Sequence, residues 1–219
     1  MNPIVRRIIT ALSTAAAVVL AVIYASETVI TFALGLLFGC VLLEYLLLLG
    51  KKMPVASSRA VFWFMAGLPL LAVPFVALAG WCHFHGNLMM LYVIALVKIS
   101  DMGGFALGMS TARLMKGGNH KLCPTISPNK SWEGLLGSVL ASCILSCAFL
   151  KITQFGWTKA LAFGVTAALV GTFGDLVESK FKRWVGVKDS ATFMPAGLGG
   201  FLDMFDSLLF APAVLLPFI

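Results

Sequence analysis

The sequence predicts an all-α protein, a polytopic membrane helix bundle with about seven transmembrane helices and a cytoplasmic N-terminus. Of its 219 residues, 60% are hydrophobic and only 11% are charged, whereas soluble domains carry about 25% charged residues. Apolar runs of about 20 residues, the length that a helix needs to cross a bilayer, follow one another along the chain. Lysine and arginine concentrate in alternate loops, which is typical of a polytopic protein with one orientation.

Seven apolar segments divide the chain, and we interpret residues 1–219 as a single integral membrane domain. The first segment follows a short basic stretch. It is too long for the apolar core of an ordinary signal peptide, and a second segment follows at once, so we expect a retained helix. The predicted segments are 8–25, 29–49, 60–79, 88–107, 135–150, 160–178 and 201–219.

Charged residues also occur inside these segments, where a lysine or aspartate costs about 2.5 to 3.5 kcal/mol at a helix centre. Glu44 lies near the end of the second segment, and we interpret it as a snorkelling or helix-bridging carboxylate. Lys98 and Asp101 lie three residues apart in the fourth segment, so they either pair with each other or face a wet cavity. The Gly103–Gly104 pair that follows lets a second backbone or a ligand approach closely.

The positive charges predict the orientation. The N-terminal tail and the loops after the second, fourth and sixth segments hold thirteen of the sixteen Lys and Arg residues, whereas Lys151 and Lys159 lie on the other side. This asymmetry places the basic loops in the cytoplasm. Positive charge beside membrane segments favours contact with anionic phosphate over contact with nucleic acid.

The stretch from Gly171 to Ser207 holds five of the nine acidic residues. Asp175 and Glu178 share one helix face because they lie three residues apart, and Asp203 and Asp206 repeat this spacing. Both pairs fall at the predicted cytoplasmic end of a segment, with basic residues between them. They are either ordinary interfacial charges or a metal and phosphate site, since closely spaced carboxylates bind Mg²⁺ and basic residues neutralise its phosphate ligands.

The polar loop between the fourth and fifth segments ends in SPNKSWEG. Ser131 is predicted to cap a helix that has Glu133 in its first turn. Backbone amides exposed at such a helix start, beside Lys130, are able to bind phosphate. Alternatively, the same residues form a plain interfacial anchor, with Trp132 at the membrane surface.

Together these patterns predict a site of phosphoryl or nucleotidyl transfer, in which positioning and charge stabilisation supply most of the rate. Its place at the cytoplasmic interface suits one soluble substrate and one lipid. A small transporter with intramembrane charges is a different reading, which the long cytoplasmic loops disfavour. The five cysteines lack metal-ligand spacing, and we interpret them as packing residues.

Three blocks, SPNKSWEG, GDLVESKFKR with KDS after it, and GGFLDMFDS, resemble the phosphatidate cytidylyltransferase (CDP-diacylglycerol synthase) family. The upstream ISDMGGFALG is similar to a further family segment, with Asp101 at its acidic position. The resemblance is strong from about residue 91 to the end, which makes 91–219 the catalytic region. The positions that match the family signature are Ser179, Lys182, Arg183, Lys188, Asp189, Pro195, Gly199, Gly200, Leu202, Asp203 and Asp206.

The resemblance implies transfer of CMP from CTP to phosphatidate in phospholipid synthesis, with Mg²⁺ as cofactor and pyrophosphate as second product. It also implies a homodimer in the bacterial inner membrane, with the site on the cytoplasmic side. The implied metal ligands are Asp175, Asp203 and Asp206. The implied catalytic residues are these three with Lys182, Arg183 and Lys188. The implied substrate-binding residues are Asp101, Ser127, Lys130, Glu133, Glu178, Ser179, Asp189, Gly199 and Gly200.

Two positions depart from the family pattern. Leu198 stands where the family has a histidine, and Met204 stands where it has an arginine, so a cation is missing beside the site. These departures leave two alternatives open. One is a related transferase with a different lipid acceptor or nucleotide, and the other is an inactive homologue that acts as a binding or scaffold subunit.

Overall fold

The computed structural model describes residues 17–50, 58–115, 118–187, 190 and 200–218. Over these residues the protein is mostly helical, as predicted, and it also contains a small antiparallel hairpin. The helices are α1 (17–24), α2 (Glu27–Gly50), α3 (Ser58–Leu114), α4 (Trp132–Ala148), α5 (Leu150–Thr153), α6 (Trp157–Val185), α7 (Phe201–Phe205) and α8 (Ala211–Leu215). The hairpin pairs β1 (Lys121–Cys123) with β2 (Ser127–Ser131), and a 3-10 helix covers Leu216–Phe218.

Within the described residues, three helices are long and apolar enough to cross a membrane: Glu27–Gly50, Val61–Leu114 and Trp157–Val185. The helix α4 is apolar but has only 17 residues. These lengths and compositions are those of a membrane protein.

The predicted third and fourth segments correspond to two helical stretches, 58–85 and 87–114, which meet at a break at Gly86 and which we label together as α3. This residue has φ 81° and ψ 168°, a conformation that glycine adopts far more readily than other residues. In place of the loop predicted between the two segments, the structure has a sharp break at a single residue. Beside it, the Asn87 side chain donates to the carbonyl oxygens of Val22 at 2.8 Å and Ala25 at 2.9 Å, which ties the break to the end of α1.

Small residues let α3, α4 and α6 approach one another closely. A Cβ atom at Gly137 of α4 would lie 2.5 Å from the carbonyl oxygen of Gly103 in α3, and one at Gly164 of α6 would lie 2.9 Å from the backbone of α4. The Ser142 hydroxyl donates to the carbonyl oxygen of Gly164 at 2.9 Å. Membrane helices commonly associate through such close contacts between small residues, because apolar side chains gain no hydrophobic free energy by moving from lipid to a helix interface. Gly103 thus admits a second backbone, one of the two predicted alternatives.

Two segments differ from the prediction near the C-terminus. The helix α6 continues to Val185 instead of ending near Glu178, because Phe181 and Val185 extend its buried apolar face. Gly186 then ends the helix with φ 88°. The seventh segment is not one helix over its described residues: α7 and α8 have five residues each, and turns at 206–210 join them. The basic residues after Glu178 therefore lie largely on a helix, and the turns bring acidic residues back to it.

Gly137→Ala is expected to lower the free energy of unfolding by about 1 to 3 kcal/mol, because the added methyl group overlaps the α3 backbone. Gly35→Ala in α2 is the matched control, since nothing lies within 4 Å of a Cβ atom there, and alanine favours a helix over glycine. Thermal unfolding of both variants in detergent checks this. Equal melting temperatures would contradict the close α3–α4 contact.

Candidate functional site

Three carboxylates meet where α6 packs against the turn that follows α7. Asp175 and Glu178 lie one helical turn apart on α6, and Asp206 comes directly after α7. One oxygen from each side chain lies within 4.8 Å of the other two. Glu178 is buried, and the other two are half-buried. We call these three residues the acidic cluster, and its like charges require cations nearby.

Lysines from three elements contact the acidic cluster, one for each carboxylate. Lys98 comes from α3, Lys130 from β2 and Lys182 from α6 itself. The pairs are Lys130–Asp175 at 2.6 Å, Lys182–Glu178 at 2.7 Å and Lys98–Asp206 at 3.9 Å. The side chains of Lys130 and Lys182 are only 20% and 12% exposed. Breaking a shielded pair is costly, because it leaves an uncompensated charge away from water.

Asp203 lies outside the acidic cluster and holds the start of α7. Its carboxylate accepts the backbone N–H groups of Gly200 at 2.8 Å and Ser190 at 3.0 Å, and Lys182 contacts it at 2.8 Å. The acidic cluster thus contains two of the three predicted metal ligands, Asp175 and Asp206, together with Glu178, and the role of Asp203 as a metal ligand stays a prediction. Lys182 bridges the two environments, because it contacts both Asp203 and Glu178.

A cavity of about 710 Å³ with charged residues in its wall opens beside the acidic cluster, and this volume is typical of small-molecule sites. Its wall combines α3, the hairpin, the start of α4, α6 and the α7 region. Asp101 lines this cavity and also lies 3.9 Å from Lys98. The two residues therefore both pair with each other and face a cavity, which were the two alternatives predicted. Charged residues of the wall include Lys98, Asp101, Lys130, Asp175, Asp203 and Asp206.

The hairpin carries part of the SPNKSWEG motif into the cavity wall, where Ser127 and Lys130 lie. Ser131 caps α4 as predicted, because its hydroxyl oxygen accepts a backbone N–H three residues on, at 3.0 Å. Glu133 accepts the backbone N–H of His120 at 3.1 Å and lies 2.7 Å from the His120 ring nitrogen Nδ1. The hydrogen bonds with His120 lower the pKa of Glu133 to about 2. Glu133 thus links the residue just before the hairpin to the start of α4.

Other predicted site residues take supporting places or fall outside the described residues. The Ser179 hydroxyl donates to Asp175 at 3.2 Å and so orients a member of the acidic cluster. Arg183 donates to the carbonyl oxygen of Val187 at 3.3 Å, at the end of α6. The predicted residues that lie outside the described part of the chain are Lys188, Asp189 and Gly199.

Glu44 belongs to the site region, although the sequence pattern did not connect it with these motifs. It is fully buried in α2 and accepts the backbone N–H of Leu202 at 2.8 Å and the hydroxyl of Ser190 at 3.4 Å. A Cβ atom at Gly200 would lie 2.5 Å from its carboxylate. The signal in the sequence was a carboxylate inside an apolar segment. Residue spacing alone could not predict that its partner is Leu202, 158 positions away.

The acidic cluster fits a divalent cation such as Mg²⁺. Its donors are all carboxylate oxygens, which hard cations prefer. Within the described residues, the Oε1 atom of Glu178 is buried without a hydrogen-bond partner, a costly arrangement that a bound cation would relieve.

These features define a helical membrane protein with an acidic, lysine-lined cavity. The model of the cytidylyltransferase family matches residues 6–219, so the chain belongs to that family. The resemblance seen in the sequence blocks is thereby confirmed.

The chain is also similar to staphylococcal proteins named phosphatidate cytidylyltransferase. It is 40% identical to the protein of Staphylococcus aureus (strain COL) and 41% identical to that of Staphylococcus haemolyticus (strain JCSC1435), over 161 residues in each case. The protein of Staphylococcus epidermidis (strain ATCC 12228) is 38% identical over 162 residues. Each match covers 70% of this chain and 59% of the length of the relative.

The variants Asp206→Asn and Asp203→Asn are expected to affect different properties, metal affinity in the first and stability in the second. Asp206→Asn should weaken Mn²⁺ binding by about 10- to 100-fold, because the acidic cluster loses a charge and its geometry. Asp203→Asn should leave Mn²⁺ affinity close to that of the wild type. It should instead lower the free energy of unfolding by about 1 to 3 kcal/mol, because a charged hydrogen bond with Lys182 is lost.

Titration with Mn²⁺ followed by electron paramagnetic resonance, and thermal unfolding in the same detergent, measure the two effects separately. Equal loss of Mn²⁺ binding in both variants would contradict the separation of Asp203 from the acidic cluster.

Proposed function

We propose that the chain is a phosphatidate cytidylyltransferase, which transfers CMP from CTP to phosphatidate and forms CDP-diacylglycerol and pyrophosphate. The observation that carries the proposal is the lysine-paired acidic cluster beside a cavity of ligand size. The names of the staphylococcal relatives support the nucleotide and the acceptor. Since the chain spans 59% of the length of those relatives, the activity of the present chain is an inference.

In this reaction, a phosphate oxygen of phosphatidate attacks the α-phosphorus of CTP, the bond to the β-phosphate breaks, and pyrophosphate leaves. The nucleophile is already ionised at neutral pH, so no side chain has to remove a proton from it. The protein therefore has to bring two anions together and to balance their charge. Asp175, Glu178 and Asp206 would hold Mg²⁺, which supplies charge neutralisation at the phosphates when bound.

Lys130 is well placed to bind phosphate. It lines the cavity, and its ammonium contacts Asp175 at 2.6 Å and the carbonyl oxygen of Thr172 at 3.2 Å. An ammonium has three donors, so one remains for a phosphate oxygen. Lys182 is enclosed between Glu178 and Asp203, so its charge acts by stabilising these carboxylates.

An apolar pocket also borders the acidic cluster. Glu178 and Asp206 line it together with aromatic residues that include Tyr45, Trp63 and Phe75. The free volume of this pocket is only about 20 Å³, about the size of one water molecule, so it is an apolar border of the acidic cluster and too small for an acyl chain. The triphosphate of a nucleotide suits the larger cavity of about 710 Å³.

The proposal includes seven membrane-crossing segments, the last of them divided into α7 and α8, together with a cytoplasmic N-terminus and a site at the cytoplasmic face of a bacterial inner membrane. Val61–Leu114 has 54 residues, about 80 Å at the helical rise, which is more than twice the hydrocarbon thickness of about 30 Å. The break at Gly86 divides this length into two spans. The distribution of Lys and Arg supports the orientation. A homodimer in the membrane belongs to the same proposal and is tested by crosslinking in native membranes.

Purified protein with labelled CTP, Mg²⁺ and phosphatidate is expected to form CDP-diacylglycerol and pyrophosphate. Asp206→Asn should lower this activity by about 100-fold or more, because it removes a metal ligand. Glu27→Gln is the matched control, since this carboxylate pairs with His83 away from the acidic cluster, and it should keep wild-type activity. Both products are quantified by chromatography.

Other outcomes of this assay separate the alternatives. A product formed only with another lipid phosphate or another nucleotide would assign the chain to a related transferase. Retained binding of CTP or lipid with no product would indicate a binding or scaffold subunit.

Met204→Arg is expected to lower the KM for CTP by about tenfold, because a charged hydrogen bond to phosphate is worth about 1.5 to 3 kcal/mol. The Met204 side chain is 49% exposed, so an arginine has room. Steady-state kinetics at saturating phosphatidate measure the change. An unchanged KM would mean that an arginine at position 204 does not contact CTP in this protein.

A further inference from the structure

Lys98 lies in the apolar stretch of α3, where a charged side chain is costly. Its ammonium donates to the carbonyl oxygen of Met204 at 2.8 Å and to the hydroxyl of Ser207 at 3.0 Å. The carboxylates of Asp101 and Asp206 each lie 3.9 Å away. Three of these four partners belong to the end of α7 and the turn after it.

The same turn packs against a glycine face of α6. A Cβ atom at Gly174 would lie 2.5 Å from the carbonyl oxygen of Asp206, and one at Gly171 would lie 3.5 Å from that of Ser207. At Gly174, backbone therefore lies directly against backbone. The turn is held between Lys98 on α3 and these glycines on α6.

This arrangement determines whether the acidic cluster is complete. Asp175 and Glu178 keep their spacing because they share one helix, whereas Asp206 depends on the position of the turn. The five residues of α7 are too few to form a stable helix alone, so contacts from outside have to hold them.

We propose that Lys98 is a positioning residue, which clamps the turn after α7 to α3 and so places Asp206 in the acidic cluster. The consequence for metal binding rests on the function proposed above. The clamp itself is a property of this turn and does not depend on the substrate.

The test compares Lys98→Met, which keeps the length of the side chain and removes its charge, with Lys98→Arg, which keeps charge and donors. In Lys98→Met, backbone amides at 204–209 should exchange hydrogen about tenfold faster, and Mn²⁺ should bind about tenfold more weakly. Lys98→Arg should restore both towards the wild type. Lys159→Met is the matched control, since Lys159 packs on the Phe155 ring about 24 Å along α6 from Asp175.

The direction of the Mn²⁺ shift separates positioning from charge alone. If Lys98 acted only through its charge, removing it would make the acidic cluster more negative, and Mn²⁺ would bind more tightly. Tighter or unchanged Mn²⁺ binding, or unchanged exchange at 204–209, would overturn the proposal. If Lys98→Met does not yield monodisperse protein, Lys98→Gln replaces it with the same expectations.

Wild-type protein is assayed for CDP-diacylglycerol in the same preparation. If the wild type forms no product while exchange and Mn²⁺ binding respond to Lys98→Met, the proposed function fails and the clamp stands. If the wild type binds no Mn²⁺, hydrogen exchange at 204–209 decides the clamp by itself.

Discussion

The balance of charge around the acidic cluster is the constraint on which this structure depends. Three carboxylates within 4.8 Å of one another repel strongly where water is scarce, and cations held nearby offset that repulsion. Those cations come from α3, β2 and α6, so the cluster exists only where the three elements converge. The ion pairs in turn join elements that are far apart in sequence. In this protein the functional site is therefore also part of the tertiary structure.

The different environments of Asp203 and Glu178 show what spacing can and cannot predict. Both residues belong to pairs three positions apart, and such pairs share a helix face. Because α6 continues through Glu178, its pair with Asp175 keeps that geometry. At α7, however, the helix begins after Gly200, which makes Asp203 its third residue, and its carboxylate accepts the Gly200 N–H. This is the usual capping arrangement at a helix start, and the spacing of these two residues in the sequence was a signal for it.

Local signals predicted the mostly helical class of the fold, whereas contacts over long sequence separations were not predictable. The cap at Ser131 and the apolar segments follow from residues close to one another in the chain. The division of the last segment into α7 and α8 depends instead on contacts such as Glu44 with Leu202, 158 positions apart. Apolar segments are nearly interchangeable in lipid, because neither hydropathy nor helix propensity says which helices pack together. The small residues in α3, α4 and α6 carry that information, and their partners become visible only in three dimensions.

The acidic cluster lies at the border between a cavity with charged walls and apolar side chains. Asp206 lines the cavity of about 710 Å³ and also a small apolar pocket of about 20 Å³, so the carboxylates have ligand-sized space on one side and packed apolar side chains on the other. A phosphate attached to acyl chains cannot leave the bilayer cheaply, since each buried methylene contributes about 0.8 kcal/mol. A nucleotide, in contrast, cannot enter the hydrocarbon. In the function proposed above, carboxylates and lysines at this border would let the two substrates meet without either one leaving its own solvent.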